Sequence, residues 1–483
     1  MGKLGSMKYI SLFLAIYFSM LTISCNGQSI RHKLHPNYSE QKTDNNVLVI
    51  DSVIDLKGGS IELPACYQIV FEGEGTIRNG NVYVDLATYS IEGGLGIFDN
   101  VKLLPKGGVN NVKKSPIREL CAQWFGVTSS ETYDNTTSLQ SAIDAGHAFA
   151  IPVFLPRGYY RITGSLKLYE GDILKGESLG RITSENQRGA TFIRYCGNGN
   201  EMISVEGSHV TVENLLIAGN TPYQADGFSL KKGAGLYFCL NNVLIVNTRY
   251  GVNCILDKNE GFSGCIWDKV SIWKCVRGLS VDINRINGQF ITYNSFNNNI
   301  ISAVLEKGVY FHCRAVNSSM FRDCIIERVG YGPGFNDNYV NSEIASIYVK
   351  NEAPQGSVSI DGGYYEDIYF SKDGEPAINY KESLSSVFNV HNMNLSIRDV
   401  RFANTRTIVH SKGLDNIVIS NCIDNGYYRN KRLVDIPICL GNEKTVLEID
   451  NYVQADNNKI LYKTEQNGKI KSCEVRNIRE KNN

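Results

Sequence analysis

Proline is scarce in this chain, with 11 among 483 residues. Net charge is missing altogether, because 49 basic and 49 acidic residues cancel. That balance lacks the basic footprint of a nucleic-acid binder. Beyond the first 25 residues no run of 18 apolar residues occurs, so nothing later reads as a membrane-spanning helix. No CxxC pair has metal-ligand spacing, which argues against a zinc site. Gly-x-Ser-x-Gly, HExxH and P-loop signatures are absent as well.

What is present starts at the beginning of the chain. Lys3 and Lys8 precede an apolar run, Tyr9 to Ile23, of about 15 residues, too short to span a bilayer comfortably. Leu21-Thr22-Ile23-Ser24-Cys25 follows and resembles the lipobox of bacterial lipoproteins. The resemblance implies cleavage before Cys25 and lipidation of its thiol. Acyl burial would then hold the chain on a membrane. The expected location is the cell envelope of a Gram-negative-type bacterium, at the outer membrane, on its periplasmic or surface face. Residues 26–46 are polar and read as a tether.

Glycine (45) and tyrosine (27) are plentiful and asparagines cluster, a profile that suits turn-rich β structure. Thirteen cysteines would invite a disulfide framework in an exported protein. Yet Cys239, Cys254, Cys265, Cys275, Cys313, Cys324 and Cys422 sit inside apolar strand patterns, as small hydrophobes do. Mostly reduced core thiols are expected.

The period of the pattern decides the fold. Val212-Glu213-Asn214-Leu215-Leu216-Ile217, Leu240-Asn241-Asn242-Val243-Leu244-Ile245 and Trp267-Asp268-Lys269-Val270-Ser271-Ile272 share one design. Each sets a polar turn former before an apolar alternation of period two. Anchors at 215, 243, 270, 296 and 324 are spaced by 28, 27, 26 and 28 residues. Gly251, Gly278 and Gly308 open a second register. A unit repeated at this period buries its apolar side only by stacking. The fold class is all-β: a right-handed, single-stranded parallel β-helix, with turn asparagines bonded in ladders.

Residues 116–176 carry a family resemblance. Trp124-Phe125-Gly126-Val127 precedes Asp134-Asn135-Thr136-Thr137-Ser138-Leu139-Gln140-Ser141-Ala142-Ile143. Val153-Phe154-Leu155-Pro156-Arg157-Gly158-Tyr159-Tyr160 and Leu174-Lys175-Gly176 follow. The series is similar to the opening of the pectate-lyase-like superfamily, in its rhamnogalacturonase- and epimerase-type branch. Asn135 replaces the usual second aspartate, and the usual Gly-Asp-Gly is lacking. The Asn-Thr-Asp, Asp-Asp and Gly-His-Gly signatures of polygalacturonase-like hydrolases are missing too. The resemblance implies the fold and an N-terminal capping helix, with Leu139, Ala142 and Ile143 laid over the first coil. The division expected is a lipoprotein signal peptide (1–25), a tether (26–46), a β-rich section (47–114), the β-helix (115–435), and C-terminal strands or a cap (436–483).

Stacking then nominates site residues. Aligning the three glycines puts Asp282 under His312, with Tyr310 on the same outward face. The next rung adds Tyr348 over Tyr310 and Lys350 over His312, and Arg314 lies one outward step further. Cations can neutralise a uronate carboxylate, while His, Lys or Tyr moves protons. A second column pairs Glu327 with Glu366, near Arg328 and Tyr365, which are candidates for binding substrate. Paired carboxylates suit glycoside hydrolysis or Ca2+; no other cofactor is called for. Outward residues of any sheet are also polar simply because they are solvated. Three functions stay open: a polysaccharide lyase on an acidic, uronate-containing glycan, a glycoside hydrolase, and a non-catalytic surface glycan binder. The partners expected are a polysaccharide and, through the lipid, a membrane.

Overall fold

Strands that alternate apolar and polar residues bury one face only, so each coil needs neighbours above and below. The computed structural model describes residues 31–33, 47–85, 88–108, 117–180, 189–331, 343–353, 356–371, 385–405, 407–413, 415–425, 438–440, 445–454, 462–464, 472–476 and 479–480. A 13-stranded sheet runs from Leu120–Cys121 to Ser472–Arg476, and a 20-stranded sheet from Gly158–Ile162 to Arg479–Glu480. Strands one coil apart pair in parallel in both. The chain is a parallel β-helix. Cys25, with the signal segment before it, lies outside the described residues, as do Gly332 and Gly334.

In the middle coils a single long strand crosses a bend of the larger sheet, as in Ser271–Ile283 and Ile300–Cys313. The bends fall at Lys274 and Ala303, which adopt positive φ of 55° and 56°. The half before the bend is termed here the proximal face, the half after it the distal face. Where the chain leaves the 13-stranded sheet, Asn214, Asn242, Asn298, Asn421 and Asn451 all take positive φ. Asparagine tolerates this region better than most residues. The Asn242 amide donates to Asn214 Oδ1 at 2.8 Å, and Asn451 to Asn421 likewise, so the expected ladders form.

The glycine register also holds. Val252, Leu279 and Val309 stack, so the glycines before them stack too. A β-carbon on Gly278 would stand 2.5 Å from the Gly308 carbonyl oxygen. One anchor is corrected. Val243, Val270, Asn299 and Cys324 share a column, whereas Phe296 belongs with Trp267 and Phe321 on the smaller sheet. Asn299 fills the column because its side chain bonds the Val270 N–H and the Trp267 carbonyl.

The capping helix spans Thr136–Phe149 and buries Leu139, Ala142 and Ile143 as expected. Asp134 ties its start by accepting from the Thr136 N–H and hydroxyl. The β-rich section is itself a stack of parallel coils, with Leu48, Ile69 and Ile91 on successive rungs. Its Phe98 ring meets Phe125, at 5.6 Å between centroids, next to the helix. Arg31–Lys33 pairs with Val47–Val49, so part of the tether already joins a coil. After residue 435 the strands continue the same sheets, with Ile417, Leu447 and Cys473 in register, so this end belongs to the β-helix. Among the described residues ten cysteines are free, seven of them buried, and Cys239 is only partly so. Among the described residues no helix is long and apolar enough to cross a membrane.

Candidate functional site

The distal face carries two outward columns two residues apart. One is Ser280, Tyr310, Tyr348 and Asn389. The other is Asp282, His312, Lys350 and His391. The vertical neighbours read from the glycine alignment are therefore neighbours in space. Tyr310 and Tyr348 stack with centroids 5.3 Å apart and planes 25° apart. Arg314 lies just past the strand and is exposed.

His312 is held between two carboxylates. Its Nδ1 lies 2.9 Å from Asp282 and its Nε2 2.9 Å from Glu352. Both acceptors are anions, so both ring nitrogens donate and the ring is an imidazolium. The Asp282 hydrogen bond raises the His312 pKa, Glu352 adds to it, and burial opposes. Burial acts to raise Asp282, but the His312 bond, the Ile283 N–H and the His312 and Arg277 charges together outweigh it and hold the carboxyl below its ordinary value. Lys350 and then His312 lower Glu352 in the same way, with Lys350 Nζ at 2.8 Å. The two carboxylates therefore favour the His312 cation and occupy both of its ring nitrogens.

Residues that sequence reasoning missed complete the face. A register shift between Cys275 and Arg277 brings Lys307 opposite Arg277. Both bond Glu306. Lys307 is 5% exposed, and burial lowers its pKa. The Arg277 guanidinium lies 4.2 Å from the Tyr310 ring centroid. Cations over phenol faces are favourable. Burial pushes the Tyr310 and Tyr348 phenols up to about 12. On the next rung, burial and then the Lys350 charge lower His391 to about 4, so it is neutral at pH 7. The Tyr348 hydroxyl lies 3.4 Å from His391 Nε2. Tyr348 is 7% exposed. Asn389 is buried with both amide atoms unpartnered.

The acidic column forms on the proximal face. Trp273, Ser302, Glu327 and Glu366 occupy successive rungs. Ser302 donates to Glu327 at 2.9 Å. Burial raises Glu366, the Tyr364 bond opposes, and Asp367 and Glu327 add to the rise. Trp273, Lys274, Ser302, Glu327 and Arg328 line part of a groove of about 410 Å³. Tyr365 does not belong to this surface. It is 0% exposed and packs on Phe388 and Phe402, because period-two alternation turns it inward between two outward neighbours. Its expected role in binding substrate is withdrawn. Among the described residues no group of three or more His, Cys, Asp or Glu could hold a metal ion.

No protein-family model and no characterised relative matches the sequence. Solved structures do resemble the fold. The Agl-KA catalytic domain is 15% identical with a TM-score of 0.44, over 76% of this chain and 69% of that one. The A-module of the Azotobacter vinelandii mannuronan C-5 epimerase AlgE6 is 14% identical with a TM-score of 0.34, over 75% and 100%. The Acinetobacter phage vB_ApiP_P1 tailspike is 11% identical with a TM-score of 0.40, over 75% of this chain. The chain spans 59% of that tailspike's length.

Proposed function

We propose that this protein is a polysaccharide-active enzyme that cleaves an acidic, uronate-containing glycan by β-elimination on the distal face. The observation that carries the reading is a neutral histidine paired with a phenol beside a cation network. His391 faces the Tyr348 hydroxyl, one rung from Lys350 and two from His312. In this reading Lys350 and Arg314 meet the uronate carboxylate, which acidifies the C5 proton. His391 takes that proton. The C4–O bond breaks, a C4=C5 double bond forms, and Tyr348 protonates the leaving oxygen. The His391 proton then returns to the tyrosinate across their contact. A bound carboxylate also screens the Lys350 charge that depresses His391, so the base strengthens when substrate arrives.

The test is incubation with polygalacturonate, alginate and glycosaminoglycans while following the ultraviolet absorbance of an unsaturated uronate. Lys350→Ala and His391→Asn should abolish that signal with the fold intact. Full activity in both sinks the assignment. A glycoside hydrolase is the second reading, favoured by the groove beside Glu327 and Glu366. Parallel rungs lie about 4.8 Å apart, close to the roughly 5–5.5 Å of retaining carboxylate pairs. New reducing ends without the absorbance, lost in Glu366→Gln, would favour it. The lipid anchor at Cys25 and the envelope location belong to the same proposal. Mass spectrometry of the mature N-terminus tests them; an unmodified Cys25 in the membrane fraction would remove the anchor.

A further inference from the structure

The corner that enters the 13-stranded sheet is built unlike the asparagine corner that leaves it. His209, Tyr237, Gly264, Tyr293 and Ser318 occupy it on successive rungs. All five have positive φ, between 52° and 68°. Glycine or asparagine would sit there with less strain than a ring-bearing residue. The rings gain little burial in return, since Tyr237 is 50% and Tyr293 73% exposed. The strain is therefore not offset by packing within the chain.

The rings are nonetheless placed in order. His209 stacks on Tyr237 with centroids 4.5 Å apart and planes 24° apart. Ser208 fixes the imidazole through a 2.9 Å bond to Nδ1. Gly264 leaves room for Tyr237, because a β-carbon there would stand 2.5 Å from the ring. Tyr293 follows one rung later. Tyr237 and Tyr293 are thus two rungs apart, about 10 Å along the axis, comparable to a disaccharide in an extended chain. The strip is one ring wide and is flanked by Ser208, Ser263 and Ser318. A protein partner needs roughly 800 Å² from each side, far more than such a file offers. A rigid, half-polar ring is suited to the flat apolar face of a pyranose.

We infer that this corner is a second glycan-contact site, on which an extended polysaccharide lies along the helix axis with sugar faces on Tyr237 and Tyr293. The inference rests on the glycan reading above but not on elimination at the distal face. Its probes are soluble polygalacturonate, alginate and xylan, tested by calorimetry and affinity electrophoresis. Asparagine is the replacement of choice, since it suits positive φ and removes the ring. Tyr237→Asn and Tyr293→Asn should each weaken polymer binding about ten-fold, without lowering Tm and without changing turnover of short oligouronides. Unchanged binding in the double variant, or no binding of any probe by the parent protein, overturns the inference. So does concentration-dependent self-association of the parent that the double variant loses, which would make the strip a contact between copies. Ring-dependent binding without any unsaturated product would keep this site and sink the elimination. Product formation with ring-independent binding would do the reverse.

Discussion

Tyr365→Phe should make the protein more stable. The Tyr365 side chain is fully buried, and its hydroxyl has no hydrogen-bond partner. Burial, with Cys324 adding to it, pushes the phenol well above its ordinary pKa, so it is neutral throughout the working range. An unpartnered buried hydroxyl costs about 1–3 kcal/mol relative to water. Phenylalanine keeps the ring contacts with Phe388, at 5.2 Å, and Phe402, at 6.2 Å. The gap left by one oxygen is small, and such residual volume costs well under about 1 kcal/mol. The expected net gain is about 1–2 kcal/mol, or a rise in Tm of roughly 1–3 °C. Urea unfolding and a thermal scan of parent and variant measure it. A loss of 1 kcal/mol or more would refute the reasoning, because the hydroxyl would then have a partner such as a buried water. Glycan cleavage should not change; its loss in a folded variant would return Tyr365 to the substrate.

Three further outcomes follow from the site and the coils. The acid limb of kcat/KM should lie near pH 4, where His391 takes up a proton in the free enzyme; a limb near the ordinary histidine value would remove His391 as the base. Glu352→Gln deletes one of the two carboxylates on His312 and should lower its titration point, read by NMR of the imidazole. The His312 pKa is raised on folding, so its stabilisation is complete below about pH 6.5 and fades as pH climbs through the folded value. The variant should lessen that slope without abolishing it, because Asp282 still raises the pKa, and an unchanged slope would contradict the contact with Glu352. Gly278→Ala drives a β-carbon against the Gly308 carbonyl and should cost about 1–3 kcal/mol; a parent-like unfolding midpoint would mean that the coils are not stacked as described.

Much of the distal site could be read from the chain because the glycine column counts coils faithfully. Asp282, His312, Tyr310, Tyr348 and Lys350 all follow from that count. Lys307 and Glu306 did not, because one extra residue after Val304, opposite Cys275 to Arg277, shifts the register by a step that periodicity cannot show. Glu352 lies just past the strand end at Asn351, where alternation no longer tells which way a side chain points, and His391 lies one coil further on, after a longer spacing. Phe296 was misplaced because two apolar anchors three residues apart compete for one column, and the true occupant is polar. For Tyr365 the signal was present: if Glu366 faces out, its neighbour must face in. His312 was read as a proton carrier because sequence shows residue types but not how many anions surround one of them.

The sealed thiols make the protein its own dosimeter of opening. Cys254, Cys265, Cys275, Cys313, Cys324 and Cys422 are spread along the axis, and burial raises each above its ordinary value, Cys324 to about 12. Alkylating reagents need an accessible thiolate. Each sulfur therefore reacts only when its own storey breathes, and peptide mapping after timed alkylation would rank the storeys from loosest to firmest.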